Sequence, residues 1–176
     1  MLHLTGSAFT GLFHTCRHSA FHLEVHDSYG TPAEDEPFRK FLDSEPDDYE
    51  WLSGWLEVVR DATARGVAFT RVRVVTEPHV DYTRWGLSVA NQNIGAGEDI
   101  RYLPRHHVDS GELATDDFWL IDDTTVAFTL FAPSGAAAGA AVSTDPVIVE
   151  RCRQVRDTVW RKAVAYNRYV RANSER

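Results

Sequence analysis

The sequence predicts an α/β domain built as a mixed sheet flanked by helices, and three stretches carry that expectation. In His18–His26, Phe21, Leu23 and Val25 alternate with His22, Glu24 and His26, the period of two that marks a strand with one apolar face. Gly66 joins a helical pattern ending at Arg65 to the β-branched run Val67–Val75, as in the second half of a βαβ crossover. The short apolar runs Phe118–Ile121 and Val126–Phe131, joined at Asp122-Asp123, predict a hairpin.

The remaining elements follow in order. Phe9, Leu12, Phe13 and Cys16 have helical spacing behind a cap at Ser7, and the strand of His18–His26 comes next. Gly30-Thr31-Pro32 opens a loop, and Phe38, Phe41 and Leu42 predict a short helix over Pro37–Leu42. A longer helix is expected over Asp48–Arg65, with acids at its start, Gly66 as its stop, and a buried stripe of Trp51, Leu52, Trp55, Val58, Val59 and Ala62. Glu77-Pro78 ends the next strand and starts a helix over His79–Asn93. Gly95-Ala96-Gly97 reads as a loop, Ile100–Leu103 as a brief strand and Pro104–Thr115 as an irregular connector. After the hairpin, Ser134–Ser143 is small and featureless and reads as a loop. It contains no GxGxxG and no P-loop lysine, so it offers little for a phosphate. Asp145-Pro146 caps a last helix over residues 146–170, with Val149, Cys152, Val155, Val159, Ala163, Tyr166 and Val170 inward. No internal repeat or linker divides the chain, so residues 1–176 are expected to form one domain.

Bulk properties narrow the function classes. A chain of 176 residues, 43% hydrophobic and 25% charged, can bury a full core. No apolar run is long enough for a membrane span, and no secretory leader pattern opens the chain. Two cysteines, Cys16 and Cys152, far apart in sequence, fit a reduced cytoplasmic protein better than a disulfide scaffold. The net charge of -8 disfavours nonspecific adhesion to nucleic acid or anionic membrane. Eleven acids lie between Glu24 and Glu57, whereas eight basic residues lie from Asp145 onward. Solvated helix faces account for such a distribution, as does a surface for a partner or a second copy.

Some residues invite a chemical role. Alternation puts Arg71 and Arg73 on one strand face, and Glu24 on the polar face of its own strand. With Arg101, and with Asp81, Tyr82, Arg84 and Glu98 from adjoining loops, they are candidates for a polar pocket. Guanidinium groups suit a small anionic ligand, a carboxylate or phosphate. The same residues equally suit structural ion pairs at a sheet edge. His14, His18, His22 and His26 recur every four residues, but a strand through them spreads the rings apart, so no metal is expected. No nucleophile elbow occurs and neither cysteine has a catalytic context. Aromatic and basic residues interleave in the last helix, yet no nucleic-acid motif accompanies them, and direct contact with DNA or RNA is not expected.

The stretches RGVAFTRVRVV (Arg65–Val75), IRYLPR (Ile100–Arg105) and DFWLIDDTTV (Asp117–Val126), in their order of elements, resemble one half of a phospholipase-D-like fold. Active members carry His-x-Lys-x4-Asp on the strand entering the hairpin. With Asp122 at the aspartate, Thr115 falls at the nucleophilic histidine and Asp117 at the phosphate-holding lysine. The resemblance therefore implies the fold without the chemistry, and makes Asp117 and Asp122 candidate ligand-binding positions in place of catalytic ones. More of the chain, through SAFHLEVHDSYG, RVRVVTEPHVDYTRW, NIGAGEDIRYLPR and DFWLIDDTTV, resembles an actinobacterial family, domain of unknown function 6879. That family tends to accompany helix-turn-helix regulators and brings no known reaction or cofactor.

The expected function is thus a non-catalytic accessory or ligand-sensing protein working with a helix-turn-helix transcription regulator. The alternative is a small enzyme or binding protein for a phosphate- or carboxylate-bearing ligand, with Glu24 as base. A third class is a homodimeric scaffold.

Overall fold

The computed structural model describes residues 1–174, and its centre is a mixed sheet of eight strands in the order β1-β7-β6-β5-β2-β3-β4-β8. Strand β2 (Ser19–Glu24), β3 (Ala68–Val75) and β4 (Asp99–Pro104) run parallel, linked by crossovers through α3 (Ser53–Ala64) and α4 (Asp81–Gly95). Strand β5 (Phe118–Ile121) pairs antiparallel with β2 and continues into β6 (Thr125–Phe131). Helix α1 (Gly6–Thr15) precedes β2, and α2 (Asp35–Leu42) lies between β2 and α3.

Alternation along the strands divides the core between two faces. Ala20, Phe69, Trp119 and Ile121 meet Phe13 of α1, Leu56 and Val59 of α3, and Trp85 and Val89 of α4. On the opposite face, Phe21, Leu23, Val72, Val74, Phe118 and Leu120 meet α5 (Pro146–Lys162) through Val149, Cys152, Val155 and Val159. Asp145 caps α5 by accepting from the Val147 and Ile148 amides. Burial raises both thiols, Cys16 and Cys152, to about 11, the pattern of inert buried sulfur.

The expected hairpin forms, and its loop explains the two aspartates. Asp122 and Asp123 both take left-handed backbone, with φ of 49° and 56°, the turn whose twist matches paired strands. The Asp122 carboxylate then accepts from the backbone amides of Arg17, His18 and Ser19 at 2.7–3.2 Å. Burial opposes ionisation here, but the amide donors prevail and hold the carboxyl at about 2. Asp122 thereby fixes the entry of β2. We expect Asp122→Ala to lower unfolding free energy by about 2 kcal/mol, the scale of charge-assisted hydrogen bonds. The same contribution should fade in the parent as pH falls from about 4 toward 2. Urea unfolding at pH 7 and pH 3 measures both.

Three expectations change. Residues 134–143 are not all loop, because Ala137–Ser143 form β7, antiparallel to β6 and to the short first strand β1 (Leu2–Leu4). Their smallness is a packing requirement: a Cβ at Gly139 would lie 2.6 Å from the Leu4 carbonyl oxygen. The helix expected over residues 146–170 stops at Lys162. Val164–Ala165 form β8 against the edge of β4, and α6 (Tyr166–Ser174) restarts so that Tyr166 and Tyr169 pack on Tyr102. Covering an open sheet edge outweighs helix continuity there. The helix expected from Asp48 begins instead with a 3-10 turn over Glu50–Leu52, with α3 following from Ser53. No described helix is long and apolar enough to cross a membrane.

Candidate ligand-binding site

Above β2, β3, β5 and β6, beneath α1, α3, α4 and the segment before α2, lies a cavity of about 530 Å³. It sits toward the carboxyl ends of the parallel strands, where open α/β sheets place their ligands. Its walls are aromatic. Trp51 and Trp85 stack with centroids 5.6 Å apart, Tyr82 lies edge-on to Trp85, and Trp119 fills the floor near Trp55.

The polar floor comes from strand periodicity. On β2, His22 and Glu24 point the same way, as do Arg71 and Arg73 on β3. Arg71 donates Nε and Nη2 to the two carboxylate oxygens of Glu98 at 2.8 and 3.2 Å, and Nη1 to Glu24 at 3.2 Å. Arg73 places Nε 2.7 Å from the second Glu24 oxygen. Gly86 of α4 lets this happen, since a Cβ there would collide with the Arg73 guanidinium. Burial by itself raises the Glu24 carboxyl, but the two guanidinium charges outweigh it and hold it at about 2. Burial wins at Glu98 and raises it.

His22 stacks on Trp119 at 4.0 Å with an interplanar angle of 11°. Burial lowers its pKa to about 3, so the ring is neutral at pH 7. Unfolded chains take up a proton below about 6.5 while the native state does not until about 3, so stability falls as pH falls across that window. The expected slope is about 1.4 kcal/mol per pH unit. His22→Gln should remove it. The stability gap between parent and variant should therefore shift by about 2 kcal/mol in the variant's favour between pH 7 and pH 5. The burial-raised acids Glu34, Glu98 and Asp117 act in the opposite sense but are common to both proteins.

Asp117 enters from the opposite side of β2. Its carboxyl accepts from Tyr29 Oη at 2.6 Å and the Val25 amide at 2.7 Å, with His26 Nδ1 at 3.1 Å. Burial and the Glu24 charge raise its pKa. Tyr82 Oη donates to Glu34, whose carboxyl burial also raises.

The sequence-predicted set therefore divides. Glu24, Arg71, Arg73, Tyr82, Glu98 and Asp117 converge at the cavity or directly beneath it. Arg101 does not: it pairs in register with Val72 and so faces α5, its guanidinium 3.7 Å over the Trp160 ring. Asp81 and Arg84 pair with each other on the exposed side of α4, because helical spacing turns Tyr82, Trp85 and Val89 inward instead. Asp122 binds backbone amides away from the cavity. Sequence reasoning missed His22, Glu34, Trp85, Asn93 and Trp119 as lining residues. His22 shares the face of Glu24, a signal available from alternation alone. The acids from Glu24 to Glu57 do not pair with the basic terminal helix among the described residues. Arg156 meets Asp123, and Lys162 meets Glu112 at 2.6 Å.

The fold is shared with solved structures. The phospholipase D family member Nuc from Salmonella typhimurium is 15% identical, with TM-score 0.58 over 90% of this chain and 88% of that one. NucT from Helicobacter pylori is 10% identical, with TM-score 0.50 over 90% and 89%. No curated protein matches the sequence. Residues 7–171 match the family described as domain of unknown function (DUF6879), and the chain belongs to that family.

Proposed function

We propose that this chain is a non-catalytic sensor: the cavity takes a small ligand, and a helix-turn-helix transcription regulator reads the occupied state. The observation that carries the reading is an aromatic-walled cavity of about 530 Å³ whose charged floor is internally neutralised. That size suits a small molecule. Its groups are poorly suited to acid–base work. Glu24, held at about 2, and His22, held at about 3, are both weak bases, and His22 is not an imidazolium acid at neutral pH.

The phospholipase-D-like motif positions support the same reading. Thr115 is exposed and donates to Asp116, Asp117 is committed to Tyr29 and Val25, and Asp122 to the start of β2. None of them offers a nucleophile toward phosphorus. The regulator as partner rests on the company that the family keeps.

Gentle isolation of the tagged protein from its own cells, followed by mass spectrometry of retained proteins and released small molecules, tests this. A helix-turn-helix regulator bound in a ligand-dependent manner is expected. Phosphodiester turnover by the purified chain that disappears in Asp117→Asn would contradict it.

A further inference from the structure

The cavity has a preference that the charge of its arginines conceals. We propose that it selects a planar aromatic ligand, neutral or cationic, that donates hydrogen bonds, and that it excludes phosphates and carboxylates. This rests on the reading of the cavity as a ligand site and names the class of ligand.

Carboxylates already hold both guanidinium groups, Arg71 through every donor nitrogen and Arg73 through Nε. All three donor nitrogens of Arg71 point at Glu98 and Glu24, and Arg73 is held by Glu24 while its Nη1 lies against the backbone of Gly86. An anion at Arg71 would have to break these pairs, and one at Arg73 would sit beside the buried Glu24 carboxylate. Two further acids, Glu34 and Asp117, line the same space, so carboxyl groups outnumber guanidinium groups around it.

An unpartnered acceptor points the same way. Asn93, 6% exposed, has a buried side-chain oxygen with no hydrogen-bond partner, and it lines the cavity. His22 Nδ1 and Tyr102 Oη are also buried and unpartnered on this cavity, and each can accept or donate, so neither opposes such a ligand. The Asn93 oxygen accepts only, and a deprotonated anion has no proton to donate to it. A ring N–H or an amidinium does. Leaving such an acceptor buried and unmade is costly, so a ligand that satisfies it gains selectivity. The Trp51–Trp85 stack and Tyr82 supply flat π-faces for a ring, and a cationic ring gains further from them.

Three probes of one shape and different charge test this: benzamidine, benzamide and benzoate. They are titrated into the full chain while the indole N–H resonances of its five tryptophans are followed by NMR. Benzamidine and benzamide are expected to shift the Trp51 and Trp85 resonances saturably, with benzoate at least about tenfold weaker. Asn93→Leu should keep the fold and weaken benzamidine by about fivefold. Benzoate binding as tightly as benzamidine would overturn the ligand class and leave the cavity reading standing. An unchanged affinity in Asn93→Leu would also overturn the class. Failure of all three probes would count against the cavity reading itself.

Discussion

Replacing Arg71 with alanine is expected to lower unfolding free energy by about 3–5 kcal/mol, the scale for stranding a buried charge. Arg71 is the cation shared by Glu98, whose side chain is fully buried, and Glu24, whose side chain is 10% exposed. Its removal leaves Glu98 with no ion pair among the described residues and Glu24 with Arg73 alone. The cost lies in the carboxylates left behind rather than in the pair itself. Arg71→Met combined with Glu98→Gln should therefore recover part of the loss, because it removes both charges at similar volume. Guanidinium unfolding of Arg71→Ala and of the parent, the two single variants and the double variant of the cycle measures this. A loss below about 1 kcal/mol for Arg71→Ala, the scale of an exposed pair, would show that water reaches the floor.

Trp119→Ala is expected to cost a similar amount, about 3–5 kcal/mol, as for large-to-small changes at buried aromatic positions. Trp119 is 4% exposed and touches Phe13, Trp55 and Phe69 at centroid distances of 4.7, 5.6 and 5.5 Å. It also carries the His22 ring on its face. Its loss would enlarge the cavity and free His22 to meet water. The raised His22 pKa should then flatten the acid limb of the stability profile, a result that pure loss of packing would not produce. Unfolding midpoints at pH 7 and pH 5 distinguish the two.

The parallel core of the fold was legible because period and punctuation agree there. Alternation through Phe21–Val25, Gly66 after α3 and the two aspartates of the hairpin turn each correspond to observed structure. The failures have a common cause. Strand β7 is built from alanine and glycine, whose pattern carries no face, and its identity comes from the strands on either side. The end of α5 has no glycine or proline, so only the open edge of β4 explains why Ala163 leaves the helix with ψ of 148°.

The site shows the same division. Arg71, Arg73 and Glu24 follow from alternation within single strands, but which strand lies opposite which depends on register. Arg101 could not be assigned to α5's side without knowing that it faces Val72. Asn93 and Glu34 come from elements that fold over the sheet, and no local pattern announces either. Counting arginines suggests an anion; the carboxylate partners of Arg71 and Arg73 are what the proposal of a neutral or cationic ligand rests on.

The sensor account is tested most directly by adding the dialysable small-molecule fraction of the protein's own cells to the purified chain and to Asn93→Leu, and measuring melting temperature. The account predicts that the fraction raises the melting temperature of the parent by several degrees, as expected for a ligand at many times its Kd, and raises that of Asn93→Leu less. An equal shift in both, or none in the parent, would contradict it.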